Sequence, residues 1–319
     1  NDMALNMDGE YRGGYYVSAE MKKIWKVELD LLREFLDFCQ RNGLKCWADG
    51  GTLLGAVRHQ GFIPWDDDID LCMLREDYDR MNRIGNSDFH APYFLQTAYT
   101  DVDYFRGHAQ FRNTNTTGIR PSDSFQPFNQ GIFIDIFVLD GVPEDSETRQ
   151  RVAKNHKKRL KLLKAKNMNI LYSGRLFQIF RKLKARYLVH KHGWATLYGQ
   201  AEDIVRAQPA NASKEVAEIT FSGYRHVMSR SLFDETVWLD FEDMKIPAPK
   251  RYDEYLKGEI GDDYMTPRMV PNLHGEVVFD TERSYTEWLP EVRKKYKRYL
   301  LRRLLKKVGL AKVSEPQYP

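Results

Sequence analysis

Apolar residues recur at helical spacing near the start of the chain. Ser18 is a suitable N-cap residue, and the helix that it starts is expected to end at Gly43. The apolar positions along this helix are Ile24, Val27, Leu31, Phe35 and Phe38. Residues 1–17 are rich in Gly and Tyr without a clear period, so we expect an extended arm there.

Short apolar runs farther along the chain predict strands, because each is four to eight residues long and bounded by polar or turn residues. These runs lie at 44–48, 69–74, 93–99, 104–111 and 132–139. Short helices are predicted at 52–59 and 76–84, and a long polar loop at 113–130. Residues 144–208 have the pattern of two or three helices, and a basic helix is predicted in the tail from residue 290.

The composition is that of a globular protein, with 42% hydrophobic and 29% charged residues among 319, and this excludes a largely disordered chain. No run of about 18 apolar residues predicts a transmembrane helix, and no signal-peptide pattern is visible. The three cysteines lack the paired spacing of a zinc site and fit buried thiols in a reducing compartment. We therefore expect a cytoplasmic protein.

Charge is distributed unevenly, although the net charge is only +4. Residues 151–200 hold fourteen Lys or Arg and residues 293–312 hold ten, and neither segment contains an acid. The rest of the chain carries 25 basic against 45 acidic groups, a net charge of −20. Because basic segments on an acidic body favour anionic partners, we expect both segments to contact an anionic membrane at its inner face. Solvated helix faces are the alternative, and nucleic acid is not expected because no known binding module is present.

An acidic cluster precedes the strand at 69–74. Within Pro64–Leu71, four of the five residues from Asp66 to Asp70 are aspartates. Since side chains alternate along a strand, Asp68 and Asp70 are expected on one face, and Asp66 joins them if the extended conformation starts early. Crowded carboxylates favour a cation, and hard oxygen ligands suit Mg²⁺ or Mn²⁺. A solvated turn or a calcium loop is the alternative interpretation.

A further carboxylate and a glycine turn add to this signal. Asp135 lies inside an apolar strand, where a charge is unfavourable unless it is paired or binds a metal. It could reach the same metal if the two strands are neighbours, or act as a general base. Gly50-Gly51-Thr52 lies between a strand and a helix, where glycine lets the backbone approach a phosphate closely. An ordinary tight turn is the alternative for this tripeptide.

The segment Ala48–Leu71, which reads ADGGTLLGAVRHQGFIPWDDDIDL, resembles the LicD family of the nucleotidyltransferase superfamily. This is the bacterial phosphocholine-transferase group, to which fukutin and fukutin-related protein are also related. Residues 115–117, 131–137 and 261–267 also resemble family features. The resemblance implies an α+β fold with a nucleotidyltransferase-like mixed β-sheet flanked by helices. It divides the chain into an arm (1–17), a catalytic core (18–143), an added basic helical insert (144–212), the rest of the catalytic region (213–289) and a basic tail (290–319).

The family resemblance also implies a reaction. A phospho-substituent, phosphocholine or the phosphate of ribitol, glycerol or ethanolamine, passes from a CDP-activated donor to a sugar hydroxyl, and CMP is released. The acceptor is a cell-surface or capsular glycan, free or lipid-linked. Two rival functions remain open, namely an NTP-dependent nucleotidyltransferase and an inactive scaffold at the membrane.

The resemblance assigns roles to individual residues. Asp68, Asp70 and Asp135 are the expected catalytic residues and Mg²⁺ or Mn²⁺ ligands, and Asp66 is a further ligand. The residues expected at the nucleotide phosphates are Gly50, Gly51, Thr52 and Arg58. Weaker candidates for substrate contact are Arg112, Asn115, Thr116 and His274.

Overall fold

A seven-stranded mixed β-sheet forms the centre of the computed structural model, which describes residues 5–168, 178–269 and 276–307. The strands are β1 (Glu10–Arg12), β2 (Tyr15–Val17), β3 (Trp47–Ala48), β4 (Asp70–Leu74), β5 (Tyr93–Gln96), β6 (Ala109–Asn113), β7 (Thr117–Ile119), β8 (Ile132–Gly141), β9 (Glu215–Ala217), β10 (Val227–Ser229), β11 (Thr236–Phe241), β12 (Met244–Pro249) and β13 (Val278–Asp280). The helices are α1 (Ala19–Arg41), α2 (Gly50–His59), α3 (Arg75–Ile84), α4 (Ser146–Lys164), α5 (Ile179–His192), α6 (Trp194–Arg206), α7 (Tyr252–Glu259) and α8 (Tyr285–Lys307).

Strand β8 is the centre of the sheet, and all ten of its residues are buried. It pairs in parallel with β4 on one side, and on the other side it pairs antiparallel with β6 and then, at its carboxyl end, with β9. Strand β3 extends the sheet beyond β4, β5 extends it beyond β6, and β10 extends it beyond β9. The expected α+β fold, with a mixed sheet flanked by helices, is confirmed.

Helix α1 covers one face of this sheet. Ser18 caps it as predicted, since the Ser18 hydroxyl accepts a hydrogen bond from the Met21 N–H at 3.1 Å. Its buried stripe packs on the sheet through Phe35, whose ring centroid lies 5.7 Å from that of Phe111 on β6. Phe111 is in register with Ile134 on β8, so both point to the α1 face. The alternate residues of β6 and β8 therefore point to the opposite face.

Helices α4, α5 and α6 lie within residues 144–212, for which a basic helical insert is predicted. Leu160 and Leu163 of α4 pack with Trp194 and Tyr198 of α6 in a small core of their own. A buried ion-pair network joins the insert to the sheet. Arg75 donates to Asp140 of β8 at 2.6 and 3.0 Å and to Glu202 of α6 at 2.9 Å.

Several element bounds differ from those predicted. The arm contains an antiparallel hairpin, β1–β2, instead of extended chain alone. The predicted strand at 104–111 begins only at Ala109, because Tyr104 is buried in a loop where its hydroxyl donates to the His108 carbonyl at 3.0 Å. None of the helices within the described ranges has both the length and the apolar character needed to cross a membrane.

Candidate active site

Three polar side chains form a row across the sheet, on the face opposite α1. Asp135 on β8 is in register with Asp70 on the parallel strand β4 and with Gln110 on the antiparallel strand β6. Residues in register on neighbouring strands point to the same face. The topology therefore brings together Asp70 and Asp135, which lie 65 positions apart in the sequence.

Asp135 is buried and tightly held. One of its carboxylate oxygens accepts a hydrogen bond from the Gln110 amide at 2.7 Å and lies 2.9 Å from Nε2 of His108. Burial alone would raise the pKa of Asp135, but the interaction with His108, the charge of Arg120 and the Gln110 hydrogen bond lower it below its usual range. Asp135 is therefore held as a carboxylate.

Asp70 has the opposite electrostatic environment. Loss of solvation, followed by the charges of Asp68 and Asp135, raises the pKa of Asp70 well above its usual range. Its backbone is fixed by two bonds to the preceding turn, because its N–H donates to the Thr52 hydroxyl at 2.8 Å and its carbonyl accepts from the Asp49 N–H at 3.0 Å. A bound cation would relieve this crowding of carboxylates.

The carboxylates of Asp66, Asp67 and Asp68 converge just before β4. Each offers an oxygen within 4.8 Å of the others, and the three side chains are half-buried. Alternation along an extended strand predicts that Asp66 and Asp68 share one face, without Asp67. This prediction is incomplete because alternation holds only within a strand, and β4 begins at Asp70. All three oxygens could ligate one hard cation.

The two glycines of the turn lie against these acids. Gly50 has a φ of +46°, which disfavours other residues, and a Cβ there would lie 3.8 Å from Oδ2 of Asp70. A Cβ on Gly51 would lie 2.8 Å from Oδ2 of Asp66. Asp49 caps the helix that follows by accepting from the Gly50 N–H at 3.0 Å. The turn therefore keeps open space beside Asp66 and Asp70.

A pocket of about 440 Å³ opens beside Asp70 and Asp135. Its walls combine cationic and aromatic residues, namely Phe105, Arg106, His108, Arg120, Phe137, Lys164 and Phe221. The Nε N–H groups of Arg106 and Arg120 are buried, and no residue within the described ranges accepts a hydrogen bond from either. Buried donors without acceptors are costly, so this wall is suited to an anionic ligand.

Arg112 and Arg58 are not part of the lining of this pocket. Arg112 is buried and donates to the side-chain oxygens of Gln96 and Gln110 and to the Gly131 carbonyl. It thereby fixes the Gln110 amide that donates to Asp135. Arg58 donates to the Tyr264 carbonyl at 2.8 Å, and so ties α2 to the loop after α7.

The remaining candidates are not brought to the pocket. Asn115 is exposed in the turn between β6 and β7. Thr116 is buried, and its hydroxyl donates to the Asn113 carbonyl at 2.7 Å and accepts from the Ile132 N–H at 2.9 Å. His274 lies outside the described residues.

Sequence reasoning missed Asp67, Arg106, His108, Gln110 and Lys164 as members of the site. One signal was available for two of them, because polar residues at every second position of Gly107-His-Ala-Gln110 lie on one face of the sheet, the face of Asp135. No local signal indicated Arg106 or Lys164, since only the tertiary fold brings them beside Asp135.

Comparison with known proteins gives a consistent result. Residues 43–164 match the family model described as LicD/FKTN/FKRP, nucleotidyltransferase domain. The lipopolysaccharide cholinephosphotransferase LicD of Haemophilus influenzae is 36% identical over 137 residues, which cover 43% of this chain and 50% of that protein. The human ribitol 5-phosphate transferase FKRP is 41% identical over 77 residues, covering 23% of this chain and 15% of that protein.

The matched region corresponds to the elements that build the site. It runs from Gly43, four residues before β3, to Lys164, the last residue of α4. It includes the glycine turn, the aspartates and β8. The chain spans at most half the length of these curated relatives. Residues 43–164 therefore form a nucleotidyltransferase domain of the LicD type, a domain family that also includes fukutin and fukutin-related protein.

Proposed function

We propose that this protein transfers a phospho-substituent from a CDP-activated donor to a sugar hydroxyl of a cell-surface or capsular glycan, with release of CMP. The observation that carries the proposal is the row of Asp70 and Asp135 at the floor of a pocket whose wall holds Arg106 and Arg120. Carboxylates beside guanidinium groups whose buried Nε N–H has no acceptor among the described residues fit a reaction at a diphosphate.

The acids fit a divalent metal ion. Asp66, Asp67 and Asp68 offer three converging carboxylate oxygens. We propose Asp70 and Asp135 as further ligands, since the charges of Asp68 and Asp135 raise the pKa of Asp70 after desolvation. We assign Mg²⁺ or Mn²⁺ to this set. When bound, such an ion neutralises charge on the donor phosphates and on the leaving CMP.

The other residues of the pocket position the substrates. Arg106, Arg120 and Lys164 bind donor phosphates through charge-assisted hydrogen bonds. The Gly50-Gly51 turn provides backbone next to Asp66 and Asp70 without a side chain in the way. Asp135, or His108 beside it, takes the proton of the acceptor hydroxyl.

The transferred group is a small alcohol phosphate, and phosphocholine is the first choice. The relative matched over the greater length is a lipopolysaccharide cholinephosphotransferase. The pocket also has an aromatic wall, in which the ring centroids of Phe137 and Phe221 are 4.8 Å apart and Phe221 is exposed. Aromatic faces attract quaternary ammonium groups. Ribitol, glycerol and ethanolamine phosphates are the alternatives.

The test is CMP release from CDP-choline, CDP-ribitol, CDP-glycerol and CDP-ethanolamine in the presence of Mg²⁺ and a glycan acceptor. Wild type is compared with Asp70→Asn and with Asp240→Asn, a control whose exposed aspartate pairs with Lys245 on the β11–β12 hairpin. We expect one donor to be consumed, and Asp70→Asn to lose activity by about 10³-fold or more while Asp240→Asn retains it. Equal rates for all three proteins would contradict the assignment of the site.

A further inference from the structure

Helix α5 exposes an apolar face that the fold does not use. Ile179, Phe180, Leu183 and Tyr187 lie along one side of the helix at helical spacing, and all four are exposed. Phe180 is 77% exposed and Tyr187 is 61% exposed. Ala185 is the buried residue of this helix, so α5 contributes little to the core of the insert. An exposed apolar row of this length indicates a contact surface.

The same face is surrounded by cations. Lys184, Arg186 and Lys191 are exposed on α5, and residues 151–200 contain no acid. Within the described ranges, no carboxylate forms an ion pair with any Lys or Arg of α5, whereas Lys245 and Lys250, for example, pair with neighbouring acids. The positive charge around the apolar row is therefore available to a partner.

A groove between α4 and α5 continues this surface. It has a volume of about 970 Å³, an apolar floor that includes Leu162, Phe180 and Leu188, and a cationic rim. The rim residues are Lys158, Arg159, Lys161, Arg181 and Lys184. A groove with apolar walls and a positive rim complements an acyl chain joined to a negatively charged headgroup.

We propose that α5 and the α4–α5 groove form a docking surface for an anionic phospholipid membrane. In this arrangement α5 lies in the plane of the headgroups, with Phe180, Leu183 and Tyr187 inserted below the phosphates. The flanking Lys and Arg residues bind the phosphates, and the acyl chain of one lipid enters the groove with its headgroup at the cationic rim. A basic helix with an exposed aromatic and aliphatic face is the form that interfacial helices take.

The geometry also connects this surface to the candidate active site. Lys161 and Leu162 of α4 line the groove, and Lys164, less than one turn farther along the same helix, lines the pocket at Asp135. The docked protein therefore holds its pocket close to the membrane surface, where a lipid-linked acceptor would be presented. The docking surface itself does not depend on the proposed reaction.

The experiment measures binding of the purified chain to vesicles of phosphatidylcholine with and without phosphatidylglycerol, by co-sedimentation at low and high salt. The test variant is Phe180→Ser combined with Leu183→Ser. The matched control is Trp238→Ser, since Trp238 is 54% exposed on the distant β11–β12 hairpin. Thermal unfolding of each variant shows whether the fold is retained.

We expect wild type and Trp238→Ser to bind only the anionic vesicles, with affinity that falls at high salt. The double variant, folded as judged by its thermal transition, is expected to bind at least about tenfold more weakly. Lys184→Gln combined with Lys191→Gln should lower affinity by about 30-fold, since two cations near an anionic surface contribute about 1 kcal/mol each. Because vesicle binding is measured without substrate, it succeeds or fails independently of CMP release.

Three results would overturn the proposal. The first is no binding to anionic vesicles, and the second is equal binding by the double variant and Trp238→Ser. The third is tighter binding to an RNA oligonucleotide than to the vesicles, unaffected by the loss of Phe180, which would assign the basic face to nucleic acid.

Discussion

Replacing Gly51 by alanine separates the role of the glycine turn in catalysis from its role in folding. A Cβ at this position would lie 2.8 Å from Oδ2 of Asp66, whereas ordinary van der Waals contact begins at 3.4 Å. The Asp66 carboxylate must therefore move by about 0.6 Å or rotate away. Because a 1 Å misplacement of a group at a reacting centre can cost about 100-fold in rate, we expect Gly51→Ala to lower CMP release by about tenfold and to raise the Mg²⁺ concentration needed for half-maximal activity.

The fold should tolerate the change. Alanine favours a helix over glycine by about 0.5–1 kcal/mol, and an off-rotamer Asp66 side chain costs about the same, so the net change in the free energy of unfolding is expected within about 1 kcal/mol. Gly258→Ala in α7 is the matched control, since a Cβ there meets no atom within 4 Å. The assay measures CMP release over a Mg²⁺ titration, with thermal unfolding of both variants. Identical Mg²⁺ dependence for Gly51→Ala and Gly258→Ala would refute the placement of Asp66 at the metal.

Further predictions concern the supporting residues. Arg75→Met leaves Asp140 and Glu202 buried without this counter-charge and should lower the free energy of unfolding by about 3–5 kcal/mol in urea titrations; a loss below about 1 kcal/mol would contradict the network. Arg112 serves Gln96, Gly131 and Gln110 from three different nitrogens, and the single ammonium nitrogen of Arg112→Lys cannot reach all three acceptors. Gln110 then loosens its hold on Asp135, and kcat should fall by about tenfold with KM for the donor unchanged; a change confined to KM would instead place Arg112 on the substrate. Burial, followed by the negative charge of Asp49, raises the pKa of Glu218 from 4.5 to about 11. Between these pH values the folded protein retains a proton that the unfolded chain loses, so the free energy of unfolding falls as the pH rises. Glu218→Gln should remove this pH dependence, so its free energy of unfolding should rise relative to that of wild type by up to about 1.4 kcal/mol for each pH unit above the unfolded pKa. Parallel profiles of unfolding free energy against pH for the two proteins would contradict this prediction.

The sequence was sufficient to predict the elements that build the site, because their signals are local. The apolar run containing Asp135 is β8, and the run after the acidic cluster is β4. From the sequence, Asp135 could reach the metal only if the two strands are neighbours, and their parallel register meets this condition and brings Asp70 and Asp135 to one face. Ser18 as the N-cap of α1 also followed directly from the residue type and its position.

The remainder of the site could not be predicted from local patterns. Alternation along a strand separated Asp67 from Asp66 and Asp68, but the segment before Asp70 is not paired, so the three carboxylates converge. Arg106 and Lys164 lie 58 positions apart and meet only because α4 returns beside the loop before β6. Exposure of the apolar residues on α5 is likewise a property of packing, since helical spacing alone is equally typical of a buried face.

The reaction class is tested most directly by identifying the phosphorus products with ³¹P NMR. The protein is incubated with Mg²⁺ and a glycan acceptor, in parallel with CDP-choline, with the other CDP-linked alcohols and with nucleoside triphosphates. We expect CMP and a new phosphodiester on the glycan from a CDP-linked donor, and no pyrophosphate from any triphosphate. Pyrophosphate from a triphosphate, with every CDP-linked donor left intact, would show that the pocket at Asp70 and Asp135 transfers a nucleotide and would contradict the proposed function.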